Sequence, residues 1–303
     1  MREETAMMKL EHILCPVDFF PASERAFDYA LALAANYGAD LHLLHVVSAV
    51  TPTSYEFQLN TAEVVEQLKA HAEVKMEELA RAGRARGVRI HPDTRIGDIH
   101  DSLRHAVDEY RADLVVMGTH GRRGFERWFL GSVTERLLRQ CPAPILTISH
   151  TEAEIRVPPN VEKVLVTTDF SEGTSRAMDF AFAIAQEAPA EVTLLHVMQQ
   201  PPEGREPLEG IRKILEEHLD SMVPPEVRNW CRVASRVEIG TPYQRILAVA
   251  EETGVDLVVM NIHGIGLWER AVMGATAERV LRAVECPLLA IPPAPGKPAK
   301  GKA

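Results

Sequence analysis

The segment Asp113-Leu114-Val115-Val116-Met117-Gly118-Thr119-His120-Gly121 decides how this chain is read. Its first five residues recur unchanged as Asp256-Leu257-Val258-Val259-Met260, and His120-Gly121 recurs as His263-Gly264. The same offset pairs Gly131 with Gly274, Glu135-Arg136 with Glu278-Arg279, and Pro144 with Pro287. Upstream, a slightly longer offset pairs Val17-Asp18-Phe19 with Thr168-Asp169-Phe170, and Leu43-Leu44-His45-Val46 with Leu194-Leu195-His196-Val197. Two matching halves of this length indicate a duplicated unit. Residues 1–150 are expected to form one domain and 160–292 a second. Pro158-Pro159-Asn160 ends the linker, and 293–303, rich in Pro, Gly, Ala and Lys, reads as a disordered, solvated tail.

Working outward, Leu114–Met117 is a short, wholly apolar run, the pattern of a strand covered on both faces. In the first half the other expected strands are 13–17, 41–47, 88–96 and 145–148. The expected helices are 24–37 (preceded by Ser23 and ended by Gly38), 61–86, 98–110 and 131–140. The second half repeats the order. Alternating strands and helices with continuous apolar strands predict an α/β fold: two doubly wound five-stranded parallel-sheet domains in tandem.

Composition agrees. The chain has 303 residues, 46% of them hydrophobic, with 33 basic and 43 acidic side chains, a net charge of −10. That balance argues against a nucleic-acid partner, which asks for a basic face. No apolar run approaches the length of a membrane span, and residues 1–9 lack the apolar core of a signal peptide, so a cytoplasmic location with no membrane partner is expected. The four cysteines, Cys15, Cys141, Cys231 and Cys286, form no C-x-x-C pair and read as buried thiols.

In open α/β sheets, ligands bind beyond the carboxyl ends of the strands, where strand order reverses. The first strand runs into Pro16-Val17-Asp18. The fourth runs into Gly118-Thr119-His120-Gly121-Arg122-Arg123-Gly124, after which Gly131-Ser132-Val133-Thr134 opens a helix. Free N–H groups and the positive dipole end at a helix start favour anions. Ser132 and Thr134 add hydroxyls, Arg122 and Arg123 add charge, and Asp18 can accept from a ribose or an adenine amine. Neither a P-loop nor a dinucleotide fingerprint is present.

Gly118-x-x-Gly121, nine residues, then Gly131-Ser132 resembles the ATP-binding signature of the universal stress protein family. The resemblance spans both halves. It implies strand order 3-2-1-4-5 with ATP at the switch point; magnesium is expected to bridge the phosphates because the loop offers donors but few carboxylates. It implies that Pro16, Val17 and Asp18 flank the adenosine and that Val46 lies against the base. Met117, Gly118, His120, Gly121, Gly131, Ser132 and Val133 would by the resemblance hold the ribose and phosphates, and Arg122 and Thr134 join them on their charge and hydroxyl alone. Because relatives commonly dimerise through the closing strand, it also implies that the two halves pair as an internal pseudo-dimer, with a homodimer of chains left open.

The second half departs from the signature. Asn261 stands for Gly118, Ala275 for Ser132 and Ile265 for Arg122. Asn261 is expected to put a side chain where the backbone should approach a ligand, so the first site reads as competent and the second as degenerate. Other readings stand beside these. Asp18 can be a turn-forming carboxylate, and His45 and His196 read as packed, hydrogen-bonded histidines. His91, His100, Asp101 and His105 lie close in sequence without a compact metal signature. The expected function is an ATP-binding stress-response regulator, with no catalytic residue assigned. The alternatives are a slow ATPase or phosphate-transfer enzyme, and a scaffold or carrier of another small ligand.

Overall fold

A computed structural model describes residues 10–48, 61–119, 130–149, 161–171, 173–187, 190–199, 208–262 and 273–292. The first half runs β1 (His12–Pro16), α1 (Pro21–Tyr37), β2 (Asp40–Val47), α2 (Thr61–Arg84), β3 (Arg89–Ile96), α3 (Ile99–Glu109), β4 (Leu114–Gly118), α4 (Ser132–Gln140) and β5 (Ile145–Ile148). The second runs β6 (Lys163–Thr168), α5 (Gly173–Glu187), β7 (Glu191–Met198), α6 (Leu208–Ser221), β8 (Arg232–Ile239), α7 (Pro242–Thr253), β9 (Leu257–Asn261), α8 (Ala275–Ala283) and β10 (Leu288–Ile291). α1 begins well before the sequence suggests. α1 starts at Pro21, not after Ser23, because proline suits the first helical position, where no N–H is needed. The Ser23 hydroxyl instead donates to the Phe20 carbonyl at 3.0 Å and accepts from Asp18 N–H at 3.2 Å.

The ten strands form one sheet in the order β3-β2-β1-β4-β5-β10-β9-β6-β7-β8. Within each half all pairings are parallel and the order is 3-2-1-4-5. The halves meet where β5 and β10 pair antiparallel, Leu146 opposite Leu289. Both strands are buried along their whole length. Thr147 Oγ1 and Ser149 Oγ reach across to the carbonyls of Leu288 (3.2 Å) and Glu285 (2.6 Å). An apolar edge that would otherwise invite association is thereby closed inside the chain. The outer edges are β3 and β8. β3 carries Arg89, Asp93 and Arg95 together with Pro92, and β8 carries Arg232, Arg236 and Glu238, which discourage further pairing.

One apolar layer joins α1, α2, α5 and α6 to the sheet, through Phe27, Leu31, Met76, Met178, Phe182 and Leu219. The other joins α3, α4, α7 and α8, through Leu103, Leu137, Leu138, Ile246, Val249 and Val280. The antiparallel junction has a consequence for function. The carboxyl ends of β1–β5 and of β6–β10 point in opposite directions, so the two switch points open on opposite edges of the sheet.

Candidate functional site

In the first half β1 lies between β2 and β4, and the chain order reverses between β1 and β4. Pro16 and Val17 end β1, where Val17 N–H continues the pairing by donating to the Leu44 carbonyl at 2.9 Å. The half-buried Asp18 follows. Its Oδ1 accepts from Phe20 N–H at 3.1 Å, an Asx turn that leads straight into α1. Phe19, between them, has φ +62°, a conformation strained for a bulky residue. Its ring lies 4.6 Å from that of His45, and His45 Nδ1 donates to the Val17 carbonyl at 2.7 Å. The second half repeats all of this. Asp169 Oδ1 accepts from Ser171 N–H at 3.0 Å, Phe170 has φ +61°, and its ring lies 4.4 Å from His196, which bonds the Thr168 carbonyl at 3.0 Å. Sequence reading singled out the aspartates and histidines but missed the phenylalanines. Their signal was their recurrence at one position in both halves.

Met117 is buried at the end of β4, and Gly118 pairs with Ile148. Across the crevice, Gly131 caps α4 and its N–H donates to the Thr119 carbonyl at 2.8 Å. The buried Thr134 hydroxyl donates to the Gly118 carbonyl at 3.0 Å. Thr134 is therefore a brace between strand end and helix. Ser132 is exposed and Val133 half-buried in the first turn, whose N–H groups have no intrahelical acceptors. Val46, half-buried on β2, packs against the α3/α4 layer. The structure thus brings Pro16, Val17, Asp18, Met117, Gly118, Gly131, Ser132, Val133 and Thr134 to neighbouring strand ends and one helix start. His120, Gly121 and Arg122 lie outside the described residues, as do His263, Gly264 and Ile265.

The steric expectation for Asn261 needs correction. Gly118 is not in the left-handed region. A Cβ added to it would meet the Ala22 backbone at 2.8 Å, so this glycine makes room for the start of α1. In the second half the small residue has changed sides. Gly173 stands for Ala22, and the Asn261 side chain fills the space, its Nδ2 2.7 Å from where a Gly173 Cβ would be. The side chain turns toward α5. Its amide nitrogen and oxygen, and the Ser171 hydroxyl, are shielded from solvent without hydrogen-bond partners among the described residues.

Three other expectations can be placed. His100, Asp101 and His105 lie on α3, while His91 on β3 stacks on His42. Among the described residues, no group of three or more His, Cys, Asp or Glu side chains is arranged to hold a metal ion. Burial pushes the Cys15, Cys141 and Cys286 thiols up, the last two to about 12, so none is a ready nucleophile. No helix among the described residues is long and apolar enough to cross a membrane.

The model of the universal stress protein family matches residues 9–149 and again 160–292. The chain belongs to that family. A universal stress protein of Methanocaldococcus jannaschii is 27% identical over 142 residues, which cover 47% of this chain and 84% of that protein. The crystal structure of a universal stress protein from Archaeoglobus fulgidus superposes with a TM-score of 0.72 at 23% identity. That match covers 94% of this chain and 97% of the other, so the likeness of fold extends over both halves. As a universal stress protein this chain is a tandem member, two family domains in one polypeptide.

Proposed function

We propose that the first domain binds ATP, with magnesium on its phosphates, as a regulatory ligand in a cytoplasmic stress response. One observation carries this reading. The Asp18 turn at the end of β1 and the open first turn of α4 flank one switch-point crevice, and the chain between β4 and α4 carries the full spacing Gly118-x-x-Gly121-x₉-Gly131-Ser132. The donor set suits the ligand. N–H groups at a helix start and the exposed Ser132 hydroxyl complement phosphate oxygens, and Arg122 supplies charge. Asp18 keeps an acceptor for a ribose hydroxyl or an adenine amine, and Val46 offers an apolar surface to the base. A magnesium ion would be carried by the phosphates and water, as this ion favours, with few protein ligands.

ATP in this reading acts by shifting the population of conformations that partners recognise. Mass spectrometry of the denatured, freshly purified protein is expected to release an adenine nucleotide, and calorimetry to show ATP binding that Asp18→Ala and Gly131→Val both weaken. No co-purified nucleotide together with no ATP binding at millimolar concentration would end this reading. Phosphate release at many turnovers per second, lost in Asp18→Ala, would replace it with an enzyme.

A further inference from the structure

The amino-terminal ends of the first half's strands, remote from the nucleotide crevice, carry three histidines on three adjacent strands. His12 opens β1, while His42 on β2 and His91 on β3 lie in direct register. The His42 ring stacks on Tyr110, centroids 4.3 Å apart and planes 9° apart, and on His91, 5.0 Å apart and planes 23° apart. The start of β1 is fixed too, since Asp113 Oδ2 accepts the N–H groups of both Glu11 (2.8 Å) and His12 (2.9 Å). The repeat places Lys163, Thr193, Ala234 and Thr253 where the first half has His12, His42, His91 and Tyr110. Duplication alone therefore does not account for the cluster.

His12 Nδ1 and His42 Nε2 face each other at 3.4 Å. The contact is a long ring-to-ring hydrogen bond, beyond the roughly 2.7–3.2 Å usual for N–H···O. Two imidazole nitrogens, each about 2.0–2.1 Å from a tetrahedrally coordinated ion, stand roughly 3.3–3.4 Å apart. The pair has the bite of a chelate, and stacking already holds the His42 ring in place.

We propose that His12 Nδ1 and His42 Nε2 bind Zn²⁺ as a two-imidazole clip between β1 and β2. Imidazole suits this ion and discriminates against magnesium and calcium, which prefer oxygen. Water completes the coordination. His91 closes the open side of the cluster, its Nε2 3.4 Å from Asp40 Oδ1.

The test uses the full-length, tag-free protein. Calorimetric titration with zinc chloride is expected to show one site with Kd below about 100 μM. His12→Gln and His42→Gln should each weaken it at least about tenfold, since losing even an outer-shell partner costs 10- to 100-fold. His42→Gln removes a stacked ring and can lower stability, so His12→Gln, whose fold is checked by thermal melting, is the deciding variant. Zinc binding unchanged in His12→Gln, binding lost in His105→Gln, or no zinc binding at 100 μM would each overturn the proposal.

Discussion

The ends of β4 and β9 solve one packing problem in opposite ways. In the first half the strand gives up its side chain at Gly118 and the helix keeps Ala22. In the second the helix gives up its side chain at Gly173 and the strand carries Asn261. The contact between strand end and helix start is so close that only one partner can bear a side chain of any size. A glycine at the head of a nucleotide signature thus has a structural duty before any ligand arrives. Its replacement in the second half is not by itself the loss of a site, because the asparagine turns toward α5. The proposed asymmetry in nucleotide binding rests instead on Ala275 in place of Ser132 and Ile265 in place of Arg122. The halves differ in stability too, since the Asn261 amide has no partner among the described residues, and a buried polar group of that kind costs about 1–3 kcal/mol when unsatisfied.

The greatest loss should come from crowding this contact on one side. Gly118→Ala should destabilise the first half by about 1–3 kcal/mol through overpacking, because the new methyl meets backbone. Adding Ala22→Gly should recover most of the loss, and Ala22→Gly with Gly118→Asn should rebuild the second half's arrangement in the first. Urea unfolding measures each variant. A neutral Gly118→Ala would show that the space is looser than the geometry states.

A smaller contrast lies within the second half. Asn261→Ala removes two unpartnered polar atoms and should leave stability within about 1 kcal/mol of wild type, or raise it, since losing an unsatisfied group offsets the lost packing. Thr168→Val should cost about 1 kcal/mol, because that hydroxyl is paired with Thr174 Oγ1 at 2.7 Å and accepts Phe170 N–H at 2.9 Å. A large loss in Asn261→Ala would mean that the amide is satisfied in solution.

A slighter difference still separates the outer edges. β3 carries Asp93 and Arg95, and Arg95 bonds Asp93 at 2.6 Å and Glu109 at 2.8 Å. β8 carries the reverse, Arg236 and Glu238, and Arg236 bonds Glu238 at 2.7 Å and Glu252 at 2.9 Å. Burial works to raise the Glu238 carboxyl, yet hydrogen bonds from Arg236 and Arg245 hold it below its ordinary value of 4.5. A lowered folded value means that the unfolded chain binds the proton more readily. The stabilisation is therefore present above pH about 4.5 and is lost as pH falls through the lower folded value. Glu238→Gln should lower the melting temperature by a few degrees at pH 7, with the difference closing toward pH 3. A difference independent of pH would point to packing instead of charge.

Much of the fold was legible because its signals are local and doubled. Leu114–Met117 and Leu257–Met260 could only be buried strands, and the proline-led runs 145–148 and 288–291 announced the edges that now pair. The start of α1 was misplaced because Ser23 looks like a cap, although its hydroxyl serves the turn after Asp18. At the site, strand ends and helix starts were readable from turn chemistry. The reason for Gly118 was not, because Ala22 lies far away in sequence and touches it only across the crevice. The same holds for His12 and His42, which sit on adjacent strands but are separated in the chain by α1. Sequence proximity grouped His91 with His100 and His105 instead.

Whether the chain holds one competent nucleotide site, in its first half, can be settled by calorimetry of ATP on the intact chain and two variants. Gly131 and Gly274 both cap their helices with extended backbone, φ −60° and −64°, which valine adopts readily, so both variants should fold. Wild type should bind one ATP tightly. Gly131→Val should weaken that site by roughly a hundredfold, equivalent to about 2.8 kcal/mol, by placing a side chain at the phosphate end of α4. Gly274→Val should leave it unchanged. Two equal sites in the wild-type chain, or loss of the tight site in Gly274→Val alone, would contradict a single site in the first half.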